Sequence, residues 1–246
     1  MDTSVKLEER YHDSVADLYS HRRSLDYIWE VPEEIFLFDK SYFKPNTEVV
    51  DLGCGPAISV SRVLHNELLT IKYTGVDISK KLLRIAKTNI PSGKFVHGDI
   101  SSVFFNKNKF DILLCLGALH HCKEKNMTLD HWVAFVKTGG FLLLREPIYE
   151  FLKRGTGESP TEEGIKIYEF MKFVQKKKLK ILRLTFFSTN AFHLFNRIMI
   201  KIGFGSWQRV RVLWYPVVYV DSLLAKFSRY GNLFKPQSFA VILQKP

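Results

Sequence analysis

Two glycines stand directly after a short apolar run, in Asp51-Leu52-Gly53-Cys54-Gly55. A turn of this kind lets backbone N–H groups come close to a ligand, and the first turn of a following helix adds the positive end of its dipole. Dinucleotide sites place a third glycine three positions later, but Ile58 stands there. The loop therefore predicts a nucleotide-like ligand without the dinucleotide pattern, although tight strand-to-helix turns also use glycine for structural reasons alone.

Two further carboxylates follow at the ends of the next two predicted strands. Asp77 lies 24 positions after Gly53, where a carboxylate can bind both hydroxyls of an adenosine ribose. Asp99 can accept a hydrogen bond from an adenine amino group, with Ile78 and Ile100 on the two faces of the ring. Each carboxylate alone is also compatible with a helix cap or a turn. Three of them at successive strand ends favour one shared ligand.

Between residues 48 and 145 the chain alternates short β-rich runs with stretches of helical periodicity. Ser79 suits the N-cap of the helix after the second run, because its hydroxyl can accept from a backbone N–H of the first turn. This alternation predicts an α/β fold with a doubly wound, mostly parallel sheet whose ligands lie outside the carboxyl ends of the strands. The predicted strands are Glu48–Leu52, Lys72–Asp77, Lys94–His97, Phe110–Leu116 and Gly140–Arg145.

The segments on either side of this alternation divide the chain further. Two helices are predicted at the amino terminus, the second beginning after Pro32, and another over 161–177. Leu179–Phe187 and Ser238–Gln244 have strand character and are expected to close the sheet as an antiparallel pair. The predicted regions are a helical lid at 1–44, an α/β core at 45–189, a helical insertion at 190–235 and the final core strand at 236–246.

Together these blocks resemble the class I S-adenosylmethionine-dependent methyltransferase family, in particular its small-molecule branch. The resemblance implies a Rossmann-like sheet, S-adenosylmethionine as the cofactor, and methyl transfer to an acceptor. It covers roughly residues 40–147, through the blocks Val49–Pro56, Gly75–Ser79, Gly98–Ile100, Phe110–His121 and Gly139–Leu144.

The resemblance also implies roles for individual residues. Asp51, Gly53 and Gly55 line the methionine end of the cofactor, Asp77 the ribose, and Asp99 with Ile100 the adenine. In the predicted lid, Tyr11 and Tyr19 can fold over the cofactor, or equally anchor an amphipathic helix. Cys54 is interpreted as a packing residue of the turn rather than a reactive thiol. The predicted cofactor-binding residues are Asp51, Gly53, Cys54, Gly55, Asp77, Ile78, Asp99, Ile100, Cys115, Leu116, Tyr11 and Tyr19.

Candidate catalytic groups stand at the ends of the fourth and fifth strands. Methyl transfer is an in-line displacement in which positioning does most of the work, but a hydroxyl acceptor also needs a base. His120 and His121 end the fourth strand, and histidine in general can exchange a proton near neutral pH, although such a pair can also be structural. Glu146 can orient an acceptor group, or form a salt bridge with a nearby cation. The other histidines show no metal-ligand spacing in sequence, and no metal site is predicted.

The net charge of +11 is concentrated in the last third of the chain. Residues 151–246 contain 17 Lys and Arg and 5 Asp and Glu, whereas residues 1–150 contain 19 and 20. Such a surface attracts anionic partners or is simply solvated. The insertion is aromatic as well as cationic, which suits a lipid headgroup layer or, alternatively, an amphipathic lid with an aromatic core. Its members include Phe192, Phe195, Phe204, Trp207, Trp214, Tyr215, Tyr219, Arg197, Lys201, Arg209, Arg211, Lys226 and Arg229.

Three functions remain open on the sequence. The first is methyl transfer to a small or lipid-linked acceptor, directed to oxygen; the second is an RNA or protein methyltransferase that docks through the basic last third. The third is cofactor binding without transfer. Base-amine methyltransferases have an Asn/Asp-Pro-Pro-Tyr/Phe motif after the fourth strand, but Cys115-Leu116-Gly117-Ala118 stands here, which makes a nucleic acid the less favoured partner.

The predicted location is the cytoplasm. The amino-terminal residues lack the apolar core of a secretory signal, and the apolar run Val212–Val220 is far shorter than the roughly 20 residues that span a bilayer. Three cysteines do not suggest a disulfide framework. Peripheral contact with an anionic inner membrane face is compatible with the basic insertion.

Overall fold

Seven strands form one mixed sheet in a computed structural model of the chain, which describes residues 3–21, 32–153, 159, 161–204 and 211–246. The strand order is β3-β2-β1-β4-β5-β7-β6. β1 to β5 run parallel, and β7 is antiparallel to both β5 and β6. The predicted doubly wound α/β sheet with a carboxyl-terminal antiparallel pair is thereby confirmed. The strands are β1 Glu48–Leu52, β2 Lys72–Asp77, β3 Lys94–His97, β4 Phe110–Leu116, β5 Val136–Pro147, β6 Lys180–Thr189 and β7 Pro236–Gln244.

Helices cover both faces of this sheet. Consecutive residues of β4 belong to different cores: Leu113 and Cys115 face one, Ile112 and Leu114 the other. This alternation is what a strand buried on both faces requires. The α-helices are α1 Thr3–His21, α2 Ile58–Val63, α3 Lys80–Asn89, α4 Lys125–Phe135, α5 Ile167–Lys176, α6 Asn190–Lys201 and α7 Arg211–Leu224. Short turns of π-helix at Glu33–Leu37 and of 3₁₀-helix at Lys40–Tyr42, Glu67–Leu69, Leu119–His121, Ala225–Tyr230 and Asn232–Phe234 complete the described elements.

The helix predicted to open at Thr161 begins only at Ile167. Lys166, directly before it, is extended, and Ile165 pairs with Ile148 in an isolated parallel bridge. Gly164 explains the difference, because a Cβ there would lie 2.5 Å from the carbonyl oxygen of Ile148. The chain after β5 thus contacts residues 164 and 165 through its backbone. Acidic residues at 161–163 predict a helix start, but they do not indicate this contact.

The segment between β6 and β7 leaves and re-enters the sheet at the carboxyl ends of the parallel strands, the same rim that carries Gly53 and Gly55. Pro147, at the carboxyl end of β5, pairs with Ser238, and Thr189, at the end of β6, pairs with Pro236. Trp214 of α7 packs into the core on the side of the sheet that Ile112 and Leu114 face. No helix among the described residues combines the length and apolarity needed to cross a membrane.

Candidate functional site

The glycine turn after β1 packs directly against the turn after β4. Gly53 and Gly55 have φ angles of +74° and +50°, which glycine adopts without steric cost. The N–H groups of Gly53 and Cys54 donate to the carbonyl of Val76 at 2.9 and 3.0 Å. A Cβ on Gly53 would lie 2.1 Å from the Cβ of Ala118, whereas one on Gly55 would meet nothing within 4 Å. The two glycines therefore have different tasks: close packing at Gly53 and an open approach at Gly55.

Asp51 presents an unsatisfied carboxylate oxygen at this turn. The side chain is buried, and the Tyr73 hydroxyl donates to Oδ2 at 2.7 Å. Oδ1 is buried and has no hydrogen-bond partner among the described residues. Burial raises the pKa of Asp51 to about 7, with the neighbouring Asp77 adding to the rise and the Tyr73 hydroxyl opposing it. A buried acceptor with a free oxygen fits the ammonium group of an amino-acid moiety such as the methionine end of S-adenosylmethionine.

Asp77 joins the glycine turn to the start of α3. Its Oδ2 accepts from the N–H of Gly55 at 2.7 Å and its Oδ1 from the N–H of Ser79 at 2.8 Å. Burial raises the pKa of the carboxyl, and these backbone donors oppose the rise. Ser79 caps α3 as predicted, since its hydroxyl accepts from the N–H of Leu82. Each oxygen of Asp77 has one further lone pair, which can accept from a ribose hydroxyl.

Asp99 and the two isoleucines lie at the ends of the neighbouring strands. Ser101 donates to both oxygens of Asp99, from its N–H at 2.8 Å and its hydroxyl at 2.7 Å, so this carboxylate also stabilises a turn. Ile100 is buried close to Gly53. The carbonyl of Ile78 accepts from the ring of His97 at 2.9 Å if that nitrogen is protonated. Roles toward an adenine ring stay predictions for these residues.

Both strand-end cysteines are packing residues. The Cys54 sulfur lies under Gly75, where a Cβ would come within 2.8 Å of it. Burial raises the pKa of the Cys54 and Cys115 thiols well above the ordinary value. Both therefore stay neutral thiols, and a thiolate nucleophile is disfavoured. The carbonyl of Leu116 accepts from the guanidinium of Arg145 at 2.9 Å.

Glu146 is placed differently from the role given to it in the sequence. The residue is fully buried, and five groups of β4 and the turn after it donate to its two oxygens. They are the Cys115 thiol, the N–H groups of Ala118, Leu119 and His120, and Nδ1 of His120, at 2.8 to 3.3 Å. Although burial alone raises the pKa of Glu146, the bond from His120 and the backbone N–H groups hold it below its usual range. Glu146 is therefore a positioning residue for the turn rather than a group on the open rim.

The rings of His120 and His121 lie against each other, with centroids 4.1 Å apart, but they have different partners. His120 is buried, and its Nδ1 lies 2.8 Å from the ionised Glu146, so the proton belongs on Nδ1 and Nε2 is left as the proton acceptor. His121 lies toward α1, with its Nδ1 3.5 Å from Glu8. Burial and the neighbouring His120 lower the pKa of His121 well below its usual value. The two adjacent rings predicted as candidate bases thus differ in their partners: Glu146 orients His120, whereas His121 lies against α1.

The helix α1 lies across the carboxyl ends of β2, β3 and β4. Asp13 accepts from the Ser79 hydroxyl at 2.5 Å, and Glu9 lies 3.1 Å from the ring of His97. Tyr11, half-buried, meets the ring of His12 edge-on. The side chains of Tyr19 and Arg211, and the whole of Trp207 and Arg209, lie outside the described residues. The placement of α1 is that expected of a lid, which stays a prediction.

The polar face of α1 escaped the sequence analysis. Glu8, Glu9, His12 and Asp13 all contact the rim, although only the tyrosines of this helix were considered. Their spacing of one, four and five positions is the signal that was missed, because such residues share one face of a helix.

The chain is similar to known methyltransferases. Residues 50–144 match a family model described as a methyltransferase domain. The trans-aconitate 2-methyltransferase of Variovorax paradoxus is 28% identical over 123 residues, 48% of this chain and 47% of that protein. The demethylmenaquinone methyltransferase of Thermotoga maritima is 28% identical over 123 residues, half of each chain. The chain thus spans about half the length of the curated relatives it matches.

Solved structures share the fold. One is Haemonchus contortus phosphoethanolamine N-methyltransferase 2 in complex with S-adenosyl-L-methionine, with a TM-score of 0.55 and 15% identity over 82% of this chain and 49% of that one. Likeness at this identity concerns the sheet and its helices and leaves the acceptor open.

Proposed function

Because the chain carries a class I S-adenosylmethionine-dependent methyltransferase domain, we propose that it transfers the methyl group of this cofactor to an oxygen of a small, apolar or lipid-linked acceptor. The observation that carries the donor half is the buried, unpaired oxygen of Asp51 beside the open approach at Gly55. It offers an anionic acceptor for the ammonium group, and Asp77 lies on the same rim with lone pairs that can accept from a ribose hydroxyl. The relatives named for small acceptors support the same class of substrate.

The chain's own residues supply position and a proton acceptor. Asp51 and Asp77 would hold S-adenosylmethionine, which would supply a methyl group on its sulfonium. The acceptor oxygen would form a bond to this carbon in line as the carbon–sulfur bond breaks and S-adenosylhomocysteine leaves. His120 is the candidate base, because Nδ1 is held by Glu146 and Nε2 can take a proton from a hydroxyl. A carboxylate behind a histidine fixes the ring's tautomer and orientation. Glu146 acts through His120 in this proposal and does not touch the acceptor.

An apolar acceptor is supported by the surface between β6 and β7. Arg197, Lys201, Lys226 and Arg229 flank it on exposed positions. Apolar groups exposed at this density mark a binding surface, and peripheral cations suit anionic lipid headgroups. An acidic lid face with Glu8, Glu9 and Asp13 disfavours a polyanionic acceptor at the same rim. The exposed apolar side chains are Leu194, Phe195, Ile198, Ile200, Ile202, Phe204, Val212, Leu213, Tyr219, Val220, Leu223, Phe227, Tyr230 and Leu233.

The affinity for S-adenosylmethionine is expected to rise roughly 5- to 10-fold between about pH 6 and about pH 7.5. The reason is that Asp51, with its pKa raised to about 7, becomes ionised over this range and then faces the ammonium group. Calorimetry at each pH measures the effect. Asp51→Asn is expected to bind more weakly with a flat profile; the same slope in this variant would reject the role of Asp51.

A methyl-transfer assay tests the acceptor. Labelled S-adenosylmethionine is incubated with the protein and a cell extract, which is then separated into lipid, RNA, protein and polar small molecules. We expect label in the lipid or apolar small-molecule fraction, with the signal lost in His120→Ala. Ile202→Glu, on the proposed surface, is expected to lower transfer at least about 10-fold, which corresponds to burial of one apolar side chain.

The control is Leu69→Glu, an equally apolar and more exposed position before β2, at the opposite end of the sheet. It should transfer as well as the wild type. Label in RNA or protein would favour the docking alternative. Cofactor binding with no transfer to any fraction would leave cofactor binding as the function.

A further inference from the structure

Three metal-binding side chains from distant parts of the chain meet where α1 crosses the turn after β4. Glu8 and His12 lie one helical turn apart on α1, and His121 ends the 3₁₀ turn after β4. The carboxylate Oε2 of Glu8 lies 3.3 Å from Nε2 of His12 and 3.5 Å from Nδ1 of His121. All three ligand atoms lie within 4.8 Å of one another. Two imidazoles and one carboxylate form a donor set typical of zinc sites.

Two of these ligand atoms make no hydrogen bond to any described residue. Oε2 of Glu8 and Nδ1 of His121 are buried, and neither has a hydrogen-bond partner among the described residues. Glu8 itself is only 6% exposed. Buried polar atoms are nearly always satisfied, so two that point at one another and at His12 require an explanation. A bound cation between them satisfies both at once.

Two of the three ligand separations match the edge of a tetrahedral zinc site. Zinc binds histidine nitrogen and carboxylate oxygen at about 2.0–2.2 Å, which places neighbouring ligands of a tetrahedron ~3.3 Å apart. The two distances from Glu8, 3.3 and 3.5 Å, match this edge. A direct hydrogen bond would be shorter and better aligned.

The groups behind the ligands hold them in this arrangement. The other oxygen of Glu8, Oε1, accepts from the hydroxyl of Ser159 and from both the N–H and the hydroxyl of Thr161. Oε2 is thereby turned toward the histidines. The far nitrogen of His121, Nε2, lies 4.0 Å from a carboxylate oxygen of Glu162. Metal-binding histidines and carboxylates typically have such partners, which orient them.

We propose that Glu8, His12 and His121 bind a divalent transition-metal ion of the zinc class, which joins α1 to the turn after β4. Three protein ligands leave a fourth position open to water or to an oxygen atom of a bound molecule. With Nδ1 of His121 used as a ligand, His120 remains as the ring for proton transfer. The proposal does not depend on methyl transfer, because metal binding is measured without cofactor or acceptor.

The test uses the full chain, stripped of metal with a chelator and titrated with Zn²⁺ by calorimetry, and with Co²⁺ for its visible absorption. We expect one ion per chain and the intense absorption of tetrahedral Co²⁺. His12→Ala and Glu8→Gln each remove a ligand and are expected to lower the affinity by more than about 100-fold. Thr161→Val removes no ligand but a hydroxyl that donates to Glu8 and to the carbonyl of His121, and it is expected to cost about 10-fold.

The matched control is His65→Ala, which removes an exposed histidine distant from the cluster and should leave the titration unchanged. Circular dichroism checks that each variant is folded, and Glu8→Gln preserves the shape of the side chain if His12→Ala does not fold. A wild-type chain that takes up no Zn²⁺ would overturn the proposal. So would equal affinity in folded His12→Ala and Glu8→Gln, because the cluster would then be an ion-pair contact alone.

Discussion

Gly53→Ala is expected to weaken S-adenosylmethionine binding on the order of 100-fold, because the turn must move away from Ala118 by about 1 Å or more. The added Cβ would lie 2.1 Å from the Cβ of Ala118, and the φ of +74° adds strain for any side chain. Overpacking and the left-handed conformation together are expected to cost about 2–5 kcal/mol of folding free energy. Calorimetry of cofactor binding and urea unfolding measure the two effects.

Two variants separate the packing from the backbone contribution. Gly55→Ala has a φ of +50° but nothing within 4 Å of the added Cβ, so only the backbone cost of about 1–2 kcal/mol is expected. In the Gly53→Ala background, Ala118→Gly removes the clashing methyl group and should recover the packing part of the loss. If Gly53→Ala and Gly55→Ala behave alike, or if Ala118→Gly recovers nothing, the contact between the two turns does not support the cofactor site.

Glu146→Ala is expected to destabilise the fold by about 3–5 kcal/mol and to lower kcat strongly. The variant leaves the backbone N–H groups of Ala118, Leu119 and His120 without their acceptor inside the core. It also frees Nδ1 of His120, so the ring loses its fixed tautomer. Urea unfolding and steady-state kinetics give the two numbers, and a positioning role predicts that kcat falls far more than the affinity for S-adenosylmethionine.

Glu146→Gln refines this expectation, because it keeps one acceptor oxygen in a side chain of the same shape. Both stability and kcat should lie between those of the wild type and Glu146→Ala. The exposed Glu169→Gln serves as the control and should change neither by much, since an exposed ion pair contributes less than about 1 kcal/mol. Wild-type kcat in a folded Glu146→Gln and Glu146→Ala would remove Glu146 from the mechanism.

The same carboxylate predicts a dependence of stability on pH. Because the folded-state pKa of Glu146 lies below its usual range, its contribution is fully present above the unfolded value of about 4.3 and is lost as the pH falls through the folded value. Acid unfolding of Glu146→Gln should lack this part of the wild-type slope.

Local features of the chain predicted most of the core. The strands of 48–145 and the N-cap at Ser79 agree with the structure because apolar periodicity and capping are properties of neighbouring residues. The glycine turn and the carboxylates at the strand ends could also be identified from the sequence. Parallel strands bring their carboxyl ends to one rim, so residues at these ends are expected to lie together.

Contacts between distant segments explain what the sequence could not predict. Glu146 was expected on the open rim, but the turn after β4 folds around its carboxylate and buries it. The helix expected from Thr161 begins later, because Gly164 pairs closely with the chain after β5. Neither outcome has a local signature, since each depends on which backbone donors another segment presents.

The amino-terminal helix shows the same division most clearly. Its amphipathic pattern and the spacing of four between Glu8 and His12 are local features of the sequence. Their contact with His121 joins residues more than 100 positions apart. The spacing of the histidines along the chain does not predict this contact. The glycine turn after β1 could therefore be identified from the order of residues. The burial of Glu146 and the Glu8–His12–His121 cluster instead arise from packing between segments that are distant in the chain.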